Sequence, residues 1–357
     1  MKKIFWLLLG IITLQACIKK DNSLQTNTSV VLRPLSSILQ NNANFSVFYN
    51  AIEKAGMDSI ITGSKGYTLL VPGNDVFTAA GFAADSLLHM DNASLKKFLG
   101  YMIIPGKITT DSIPQTIYYP YVNLNGDTLR FGVPVPGTFQ RQSPTPGNAI
   151  LHVNGVGTTY SNILASNGVI HNITRVLQAP APTVRYFLEH NPNYSFFVRA
   201  LHNFGYLDEL DGKGPFVLFA PTNTAFLNHG FDSLAVEALD TLQFKKWLVG
   251  ANIMHTGVFF SSDFIDAPVP PPYGPMVNFP GYLAKDYAIV FAYSTAGLSP
   301  LNFIDIITYG AAPYYGNPYV YGDVVSFDDP DHLAYNGVVH GTINGMLAIP
   351  GDSLRIY

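Results

Sequence analysis

One short pattern occurs twice in this chain, and it limits the possible folds more than any other feature does. The clearer copy is GPFVLFAPTNTAF, from Gly214 to Phe226, and an echo of it, GYTLLVPGNDVF, runs from Gly66 to Phe77. A chain of 357 residues has room for about two domains of ordinary size, each able to bury its own core. The pattern therefore predicts a fold that is built twice.

Each copy of the pattern lies within the same series of predicted elements. An amphipathic helix comes first and stops at a glycine, Gly56 or Gly205. Its apolar positions are Phe45, Phe48, Ile52 and Ala55 in the first copy, and Phe196, Phe197, Ala200, Leu201 and Phe204 in the second. FVLFAP and TLLVP then predict a strand buried on both faces, because a short β-prone run is bounded by glycine and proline. Each copy ends with an Asn-Gly hairpin signal, at Asn167 or Asn336.

Two further sets of polar residues recur in the copies. Thr222 or Asn223, directly after Pro221, is predicted to cap the helix that follows the strand, and Asn74 or Asp75 is predicted to do the same in the first copy. His171 and His340 occupy equivalent places after the Asn-Gly pairs. An imidazole among valines and isoleucines is typical of a core residue with buried hydrogen bonds, and catalysis is the alternative.

The first seventeen residues are predicted to be an export signal. Lys2 and Lys3 precede the apolar run IFWLLLGIITL, whose eleven residues are too few to span a bilayer. LQAC then resembles a bacterial lipobox, which implies lipid attachment at Cys17, the single cysteine of the chain. The alternative is a plain secretory signal with a buried cysteine. Residues 18–29 are polar and predict a flexible tether to the membrane.

The repeated blocks together resemble the fasciclin-like domain. FVLFAPTNTAF and NGVIHNITRVLQAP are similar to its two signature blocks, and the resemblance covers residues 30–357. It implies an α+β fold of two consecutive domains, each a small β-sandwich or wedge with helices packed beside it. We place the first domain at residues 30–179 and the second at residues 180–357. Family members often carry Tyr-His in the middle segment, where this chain aligns Tyr101–Met102 and Asn252–Ile253.

The second predicted domain is longer than the first. Pro221 and His340 are 119 positions apart, against 99 for Pro72 and His171, and we expect the excess in a Tyr/Pro-rich insertion around residues 268–331. One interpretation is a long loop or extra hairpin that covers the sandwich. The alternative is an exposed aromatic platform for a partner such as a sugar. Its residues would be Tyr309, Tyr314, Tyr315, Tyr319 and Tyr321.

One acidic stretch, DDPDH, is a candidate metal site. Carboxylates with an imidazole could hold calcium or another divalent ion, although such turns more often cap backbone groups. The candidate ligands are Asp328, Asp329, Asp331 and His332. The sequence contains no GxSxG, HExxH or phosphate-loop motif. We therefore expect no enzyme activity, no metal and no cofactor.

Composition and resemblance together favour a function in binding. Charged residues are 12% of the chain and the net charge is −4 without a basic cluster, so nucleic acid is not an expected partner. The sequence predicts a surface-anchored, non-catalytic adhesion or binding lipoprotein of the outer membrane. Lys20 and Asp21 loosely resemble the tags of Bacteroidetes-type surface lipoproteins. Its two domains would present loops to an extracellular protein or polysaccharide. Two alternatives stay open: an accessory glycan-capture lipoprotein of an outer-membrane uptake system, and a hydrolase or metal-dependent enzyme in the insertion.

Overall fold

Two separate sets of buried apolar side chains organise the chain. The computed structural model describes residues 31–82, 84–114, 116, 119–133, 151–244, 247–250, 252–255, 257–263, 278–280, 288–292, 303–309 and 319–343. Within these residues, one core cluster runs from Leu35 to Leu177 and the other from Val184 to Val339. Each cluster is covered by a sheet and by helices from its own half of the chain.

The first half forms a seven-stranded sheet with helices beside it. Its helices are α1 (Leu35–Gln40), α2 (Ser46–Lys54), α3 (Asp58–Thr62), α4 (Asn74–Ala79), α5 (Ala84–His89) and α6 (Asn92–Tyr101). Its strands are β1 (Tyr67–Pro72), β2 (Ile103–Pro105), β3 (Tyr119–Val122), β4 (Thr128–Gly132), β5 (His152–Val153), β6 (Val156–Ala165) and β7 (Gly168–Ile173). The strands are ordered β2-β1-β7-β6-β5-β4-β3 in space.

The second half repeats this plan strand for strand. Its helices are α7 (Val184–Glu189), α8 (Ser195–Phe204), α9 (Asn223–Asn228), α10 (Ser233–Glu237) and α11 (Trp247–Gly250). Its strands are β8 (Phe216–Pro221), β9 (Ile253–Met254), β10 (Asn278–Pro280), β11 (Ala288–Ala292), β12 (Phe303–Tyr309), β13 (Tyr319–Ala334) and β14 (Gly337–Thr342). The spatial order β9-β8-β14-β13-β12-β11-β10 is that of the first sheet.

This correspondence gives the Tyr/Pro-rich range a place in the sheet. Residues 268–331 contain β10, β11, β12 and most of β13, which are the counterparts of β3, β4, β5 and β6. The backbone of this range therefore contributes strands that the first half also has.

The centre of each sheet is a pair of parallel strands with the same register. Tyr67 pairs with Gly168 and Pro72 with Ile173 along β1 and β7, and β8 pairs with β14 over six residues in the same way. Every residue of β7, β8 and β14 is buried. Parallel strands covered on both faces need nearly continuous apolar runs. The predicted doubly buried strand in each copy is confirmed.

The amphipathic helices are also confirmed. The predicted face, which α2 forms together with the residue on either side of it, is buried, and the chain turns away at Gly56 with a φ of 64°. In α8, Phe196 is half-buried and the other predicted positions are buried, and Gly205 ends the helix with a φ of 76°. Glycine adopts this left-handed conformation without the steric cost of a Cβ. Each fully buried large apolar side chain contributes about 1.5–3 kcal/mol relative to exposure.

The hairpins at the Asn-Gly pairs form, but for a different reason from the one predicted. Ala165 pairs with Gly168, so the two-residue loop consists of Ser166 and Asn167, and the glycine already belongs to β7. A Cβ on Gly168 would collide with the carbonyl oxygen of Tyr67 on the neighbouring strand. Glycine is therefore required by the close approach of two backbones, not by the turn.

The asparagine of each pair joins three segments. Asn167 accepts a hydrogen bond from the N–H of Leu35 (2.8 Å) and donates to the carbonyls of Ile61 (2.9 Å) and Gly63 (2.8 Å). Asn336 makes the same three bonds in the second half, to Val184, Leu210 and Gly212. Only a carboxamide offers one acceptor and two donors in this shape, so it ties the hairpin to the first helix and to the turn before the central strand.

We predict that Asn167→Asp destabilises the first domain by about 2–3 kcal/mol at pH 7. The new carboxylate would face two carbonyl oxygens with no hydrogen to donate. The measurement is urea unfolding followed by circular dichroism. Asn42→Asp is the matched control, because Asn42 uses only its side-chain oxygen, as an acceptor from the N–H of Asn44 (3.0 Å). Equal stability of the two variants would contradict the role assigned to Asn167.

Candidate functional site

Several predicted site residues lie outside the described part of the chain. Cys17, Tyr314 and Tyr315 are among them, as are the side chains of Tyr309, Tyr319, Tyr321 and Asp328. The backbone places Tyr309 opposite Tyr319 on β12 and β13, with Tyr321 opposite Ile307 two positions further along. Among the described residues, no helix has both the length and the apolar character of a membrane span.

The residues after strand β8 start the next helix and join it to α8. Thr222, directly after Pro221, caps α9 and accepts a hydrogen bond from the N–H of Ala225 (3.3 Å). Asn223 turns to the neighbouring helix, where it accepts from the N–H of Phe196 (3.0 Å) and donates to the carbonyl of Pro192 (2.9 Å). The polar groups of the strongest motif are therefore used within the fold.

The first half keeps the asparagine but not the cap. Asn74 accepts from the N–H of Val47 (3.1 Å) and donates to the carbonyl of Ala43 (2.9 Å), as Asn223 does in its own half. The cap position of α4 is Gly73, which has no side chain to accept a bond. The prediction that Asn74 or Asp75 caps this helix is wrong, because Asn74 is directed to the adjacent helix instead.

His171 is a buried histidine whose two ring nitrogens both contact backbone. Its Nδ1 accepts from the N–H of Asn162 (3.3 Å), which leaves the proton on Nε2 to be donated to the carbonyl of Ile108 (2.9 Å). Burial lowers the pKa of His171 to about 4, although the contact with the Ile108 carbonyl partly opposes this change. The imidazole is thus neutral at pH 7 and tied to the backbone on both sides.

His340 repeats this arrangement in the second half. Nδ1 accepts from the N–H of Asp331 (3.2 Å), and Nε2 lies 3.0 Å from the carbonyl oxygen of Phe259. Burial lowers the pKa of His340 below its ordinary value, while the nearby Asp331 carboxylate acts in the opposite direction. Neither repeated histidine presents a ring nitrogen to solvent, so the geometry does not suit acid–base catalysis on an external substrate.

The partners of the two histidines differ in charge. Asn162 and Asp331 both have positive φ, 58° and 72°, and both give their N–H to the histidine of their own half. Asn162 accepts from the N–H of Thr110 (2.9 Å), and Asp331 accepts from the N–H (2.7 Å) and the hydroxyl (2.6 Å) of Ser261. The position that the neutral amide of Asn162 occupies in the first half is thus occupied by the carboxylate of Asp331 in the second.

Asp331 has a further partner in the first half. Nη2 of Arg175 donates to its carboxylate at 2.8 Å, and Nη1 of the same arginine donates to the carbonyl of Pro330 at 2.8 Å. The Asp331 side chain is 0% exposed. This ion pair joins residues that are far apart in sequence.

The candidate metal ligands are directed to different partners. Asp331 holds Ser261 and Arg175, whereas Oδ2 of Asp329 lies 2.7 Å from Nε2 of His332. Burial opposes ionisation of Asp329, but the contact with His332 outweighs burial and holds the pKa of this carboxyl below its ordinary value. In the part of the chain that the structure describes, no three such groups converge as a metal site.

A second turn of the first half reaches the same region. Asn154 and Gly155 join β5 to β6 and have φ values of 48° and 80°, as a type I′ hairpin turn requires. Asn154 donates to the hydroxyl of Tyr101 (3.2 Å), whose pKa is raised by burial, and a Cβ on Gly155 would meet the carboxylate of Asp331. The Asn-Gly pair in HVNGV is a sequence signal for the turn, but no sequence signal indicates its contact with Asp331.

The structural alignment of the two middle segments, around Met102 and Asn252, differs by one residue from the alignment predicted from the sequence. The carbonyl of Met102 accepts from the N–H of Leu70 (2.9 Å), and that of Asn252 accepts from the N–H of Phe219 (3.0 Å). Met102 and Asn252 are therefore equivalent, and the predicted match of Met102 with Ile253 is wrong.

Comparison with known proteins finds similarity to fasciclin domains. Residues 43–179 match the family model of the fasciclin domain. The shared strand order and registers of the two sheets define an α+β fold that is built twice, and the first copy contains the matched residues.

The relatives come from animals and from a cyanobacterium. Human periostin is 34% identical over 123 residues, which is 30% of this chain and 15% of periostin. Protein sll1483 of Synechocystis sp. is 29% identical over 141 residues, 39% of this chain and 69% of that protein. Fasciclin-1 of Schistocerca americana is 30% identical over 189 residues, 50% of this chain and 27% of the relative. The chain thus spans a small part of periostin and Fasciclin-1.

A solved structure is similar over most of the chain, but weakly. It is described as a FAS1 domain pair from the insect cell adhesion molecule Fasciclin I. The alignment covers 86% of this chain and 98% of that one, with a TM-score of 0.36 and 17% identity.

We predict that His171 makes the first domain less stable in acid. Its folded pKa of about 4 lies below the ordinary 6.5, so the unfolded chain takes up the proton first as the pH falls. The contribution is fully present above pH 6.5 and is lost toward pH 4, by up to about 1.4 kcal/mol per pH unit.

The measurement is the unfolding free energy of wild type and His171→Asn at several pH values in this window. The variant should have the smaller slope against pH. His190→Asn, which alters an exposed histidine directly after α7, should keep the wild-type slope. Parallel curves for wild type and His171→Asn would contradict the prediction.

Proposed function

We propose that this chain is a non-catalytic adhesion or binding protein whose two domains present loops to an extracellular protein or polysaccharide. Fasciclin domains are in general adhesion or binding modules, and the relatives include Fasciclin-1. The proposal rests on the hydrogen bonds that the repeated polar residues make within the fold. Asn223, His171 and His340 all bond to backbone within the fold, so the repeat supplies a scaffold and leaves recognition to its variable segments.

The chain is attached to the outer membrane, at the cell surface, through a lipid on Cys17. Support comes from the sequence LQAC after a short apolar run and from the polar residues 18–29 that follow it. Each buried methylene contributes about 0.8 kcal/mol, and one acyl chain alone holds a protein only marginally. The three chains that a lipobox implies anchor it firmly.

We predict that Cys17→Ser releases the protein from the membrane fraction. The serine variant lacks the thiol that accepts the lipid, whereas Ser23→Ala in the tether should stay membrane-bound. Fractionation of cells and mass spectrometry of the mature N-terminal peptide provide the readouts. Proteinase added to intact cells should digest the wild-type protein. An unmodified Cys17 in the wild type would refute the anchor, and full protection from proteinase would refute surface exposure.

The Tyr/Pro-rich range is the proposed recognition segment. Flat rings with a hydroxyl combine stacking with hydrogen bonding, which suits sugars and polar protein surfaces. The low charge of the chain suits a neutral ligand.

We predict that Tyr314→Ala/Tyr315→Ala weakens ligand binding by about tenfold or more, since each aromatic contact is worth about 0.5–1.5 kcal/mol beyond its buried area. The soluble fragment from Val30 onward would be screened on a glycan array and on a panel of matrix proteins. Tyr160→Ala, at an exposed tyrosine of β6, is the control and should bind as wild type does. Equal affinity of the double variant and the control would contradict the platform.

The same screen separates the alternatives. Binding confined to polysaccharides would favour the accessory glycan-capture lipoprotein. The hydrolase alternative is disfavoured because Asp331 and Asp329 already hold partners within the protein. Turnover of a chromogenic substrate panel that is lost in Asp329→Asn would restore that alternative and contradict a non-catalytic role.

A further inference from the structure

Asn162 and Asp331 occupy equivalent positions in the two domains, but only Asp331 carries a charge. In the first domain, the neutral Asn162 lies beside the histidine, where it accepts the N–H of Thr110 and donates its amide to the Thr110 hydroxyl. The second domain places Asp331 there, bonded to the N–H and the hydroxyl of Ser261. Both side chains bond the same two groups of their partner, with only the hydroxyl bond reversed, so a neutral amide can close this bulge as well as a carboxylate.

A carboxylate at this position needs a counter-charge. Its side chain is 0% exposed, and a buried, unpaired carboxylate is strongly destabilising. Nδ1 of His340 lies 3.6 Å away but accepts the N–H of Asp331, so it carries no proton. His332 is engaged with Asp329. In the described residues, Arg175 is the one guanidinium or ammonium group that is bonded to Asp331.

That counter-charge belongs to the other domain. Arg175 follows β7, within two positions of its last residue, and its guanidinium spans the carboxylate of Asp331 and the carbonyl of Pro330. Without the first domain, the carboxylate would lose this cation together with the β5–β6 turn that packs against it. No such dependence exists in the reverse direction at this position, because Asn162 is neutral.

Neighbouring contacts also join the two domains close to Arg175 and Asp331. The hydroxyl of Tyr335 donates to Asp127 of the first domain at 3.0 Å. Gly155 lets the β5–β6 turn approach the carboxylate where a side chain would collide. Ala181, in the connecting segment, bonds through its N–H to the carbonyl of Leu333 (2.9 Å) and through its carbonyl to the N–H of Tyr335 (3.0 Å). These bonds hold the end of β13 beside the segment that carries Arg175.

We propose that Arg175 is an interdomain counter-charge: the first domain neutralises Asp331 in the docked pair, so the second domain docks on the first in its native arrangement only when this cation is in place. The end of β13 is thus an interaction surface whose partner is the first domain of the same chain. This dependence concerns the folding of the pair and holds whichever ligand the protein binds.

A double-mutant cycle in the full chain tests the proposal. Arg175→Met removes the charge and leaves an apolar chain of similar reach. Asp331→Asn restores the neutral amide that the first domain uses at Asn162. The readout is amide hydrogen exchange by mass spectrometry on peptides from β14, with peptides from β7 as the internal reference.

Arg175→Met should increase the opening constant of β14 by about thirtyfold or more, because it leaves a buried carboxylate unpaired. The variant with both changes should lie within about threefold of Asp331→Asn, since the amide no longer needs the cation. Arg199→Met is the matched control, as it removes a more exposed arginine paired with Glu237 at 3.5 Å, and it should leave β14 unchanged.

Two outcomes overturn the proposal. In the first, Arg175→Met leaves exchange in β14 at the wild-type rate. In the second, Asp331→Asn fails to rescue the loss caused by Arg175→Met, which would mean that the arginine acts through packing alone. If Arg175→Met does not fold at all, recovery of folded protein by the added Asp331→Asn supports the proposal, and failure of both variants to fold contradicts it.

Discussion

The parallel pairing of two six-residue strands is the constraint on which each domain depends. A parallel pair is covered on both faces, so β1 with β7 and β8 with β14 require nearly continuous apolar runs and a helix before and after. The polar residues that recur in the two halves serve this pair. Asn167 and Asn336 fix the hairpin to the first helix, and His171 and His340 bond the bulged neighbouring strand from within the core.

Local sequence signals were enough to predict this framework. Gly56 and Gly205 stop the helices, and the apolar runs before Pro72 and Pro221 form the central strands, because both features depend on residues close in sequence. The errors came from contacts across the fold. Nothing near Asn74 in the sequence shows that its carboxamide reaches Val47 on another helix, which leaves the cap to Gly73.

The docking of the domains could be predicted only in part. The Asn154–Gly155 turn had a readable signal, since Asn-Gly between valines favours a type I′ hairpin. The pairing of Arg175 with Asp331 had none, because it depends on how two folded domains meet. The DDPDH sequence predicted a cluster of acids, but the bulge at Asp331 separates its carboxylate from that of Asp329, and each finds its own partner.

The comparison of Asn162 with Asp331 suggests what a buried charge adds to a duplicated fold. The neutral amide already closes the bulge in the first domain, so the carboxylate contributes little that Asn could not give to the second domain alone. Its cost falls on any arrangement that buries the carboxylate without Arg175. A buried charge with one bonded cation therefore penalises misdocked states more than it stabilises the docked one, and such selectivity is a known use of buried polar groups. Two domains that share a fold thereby become distinct, and at this position only the second one depends on a charge from its neighbour.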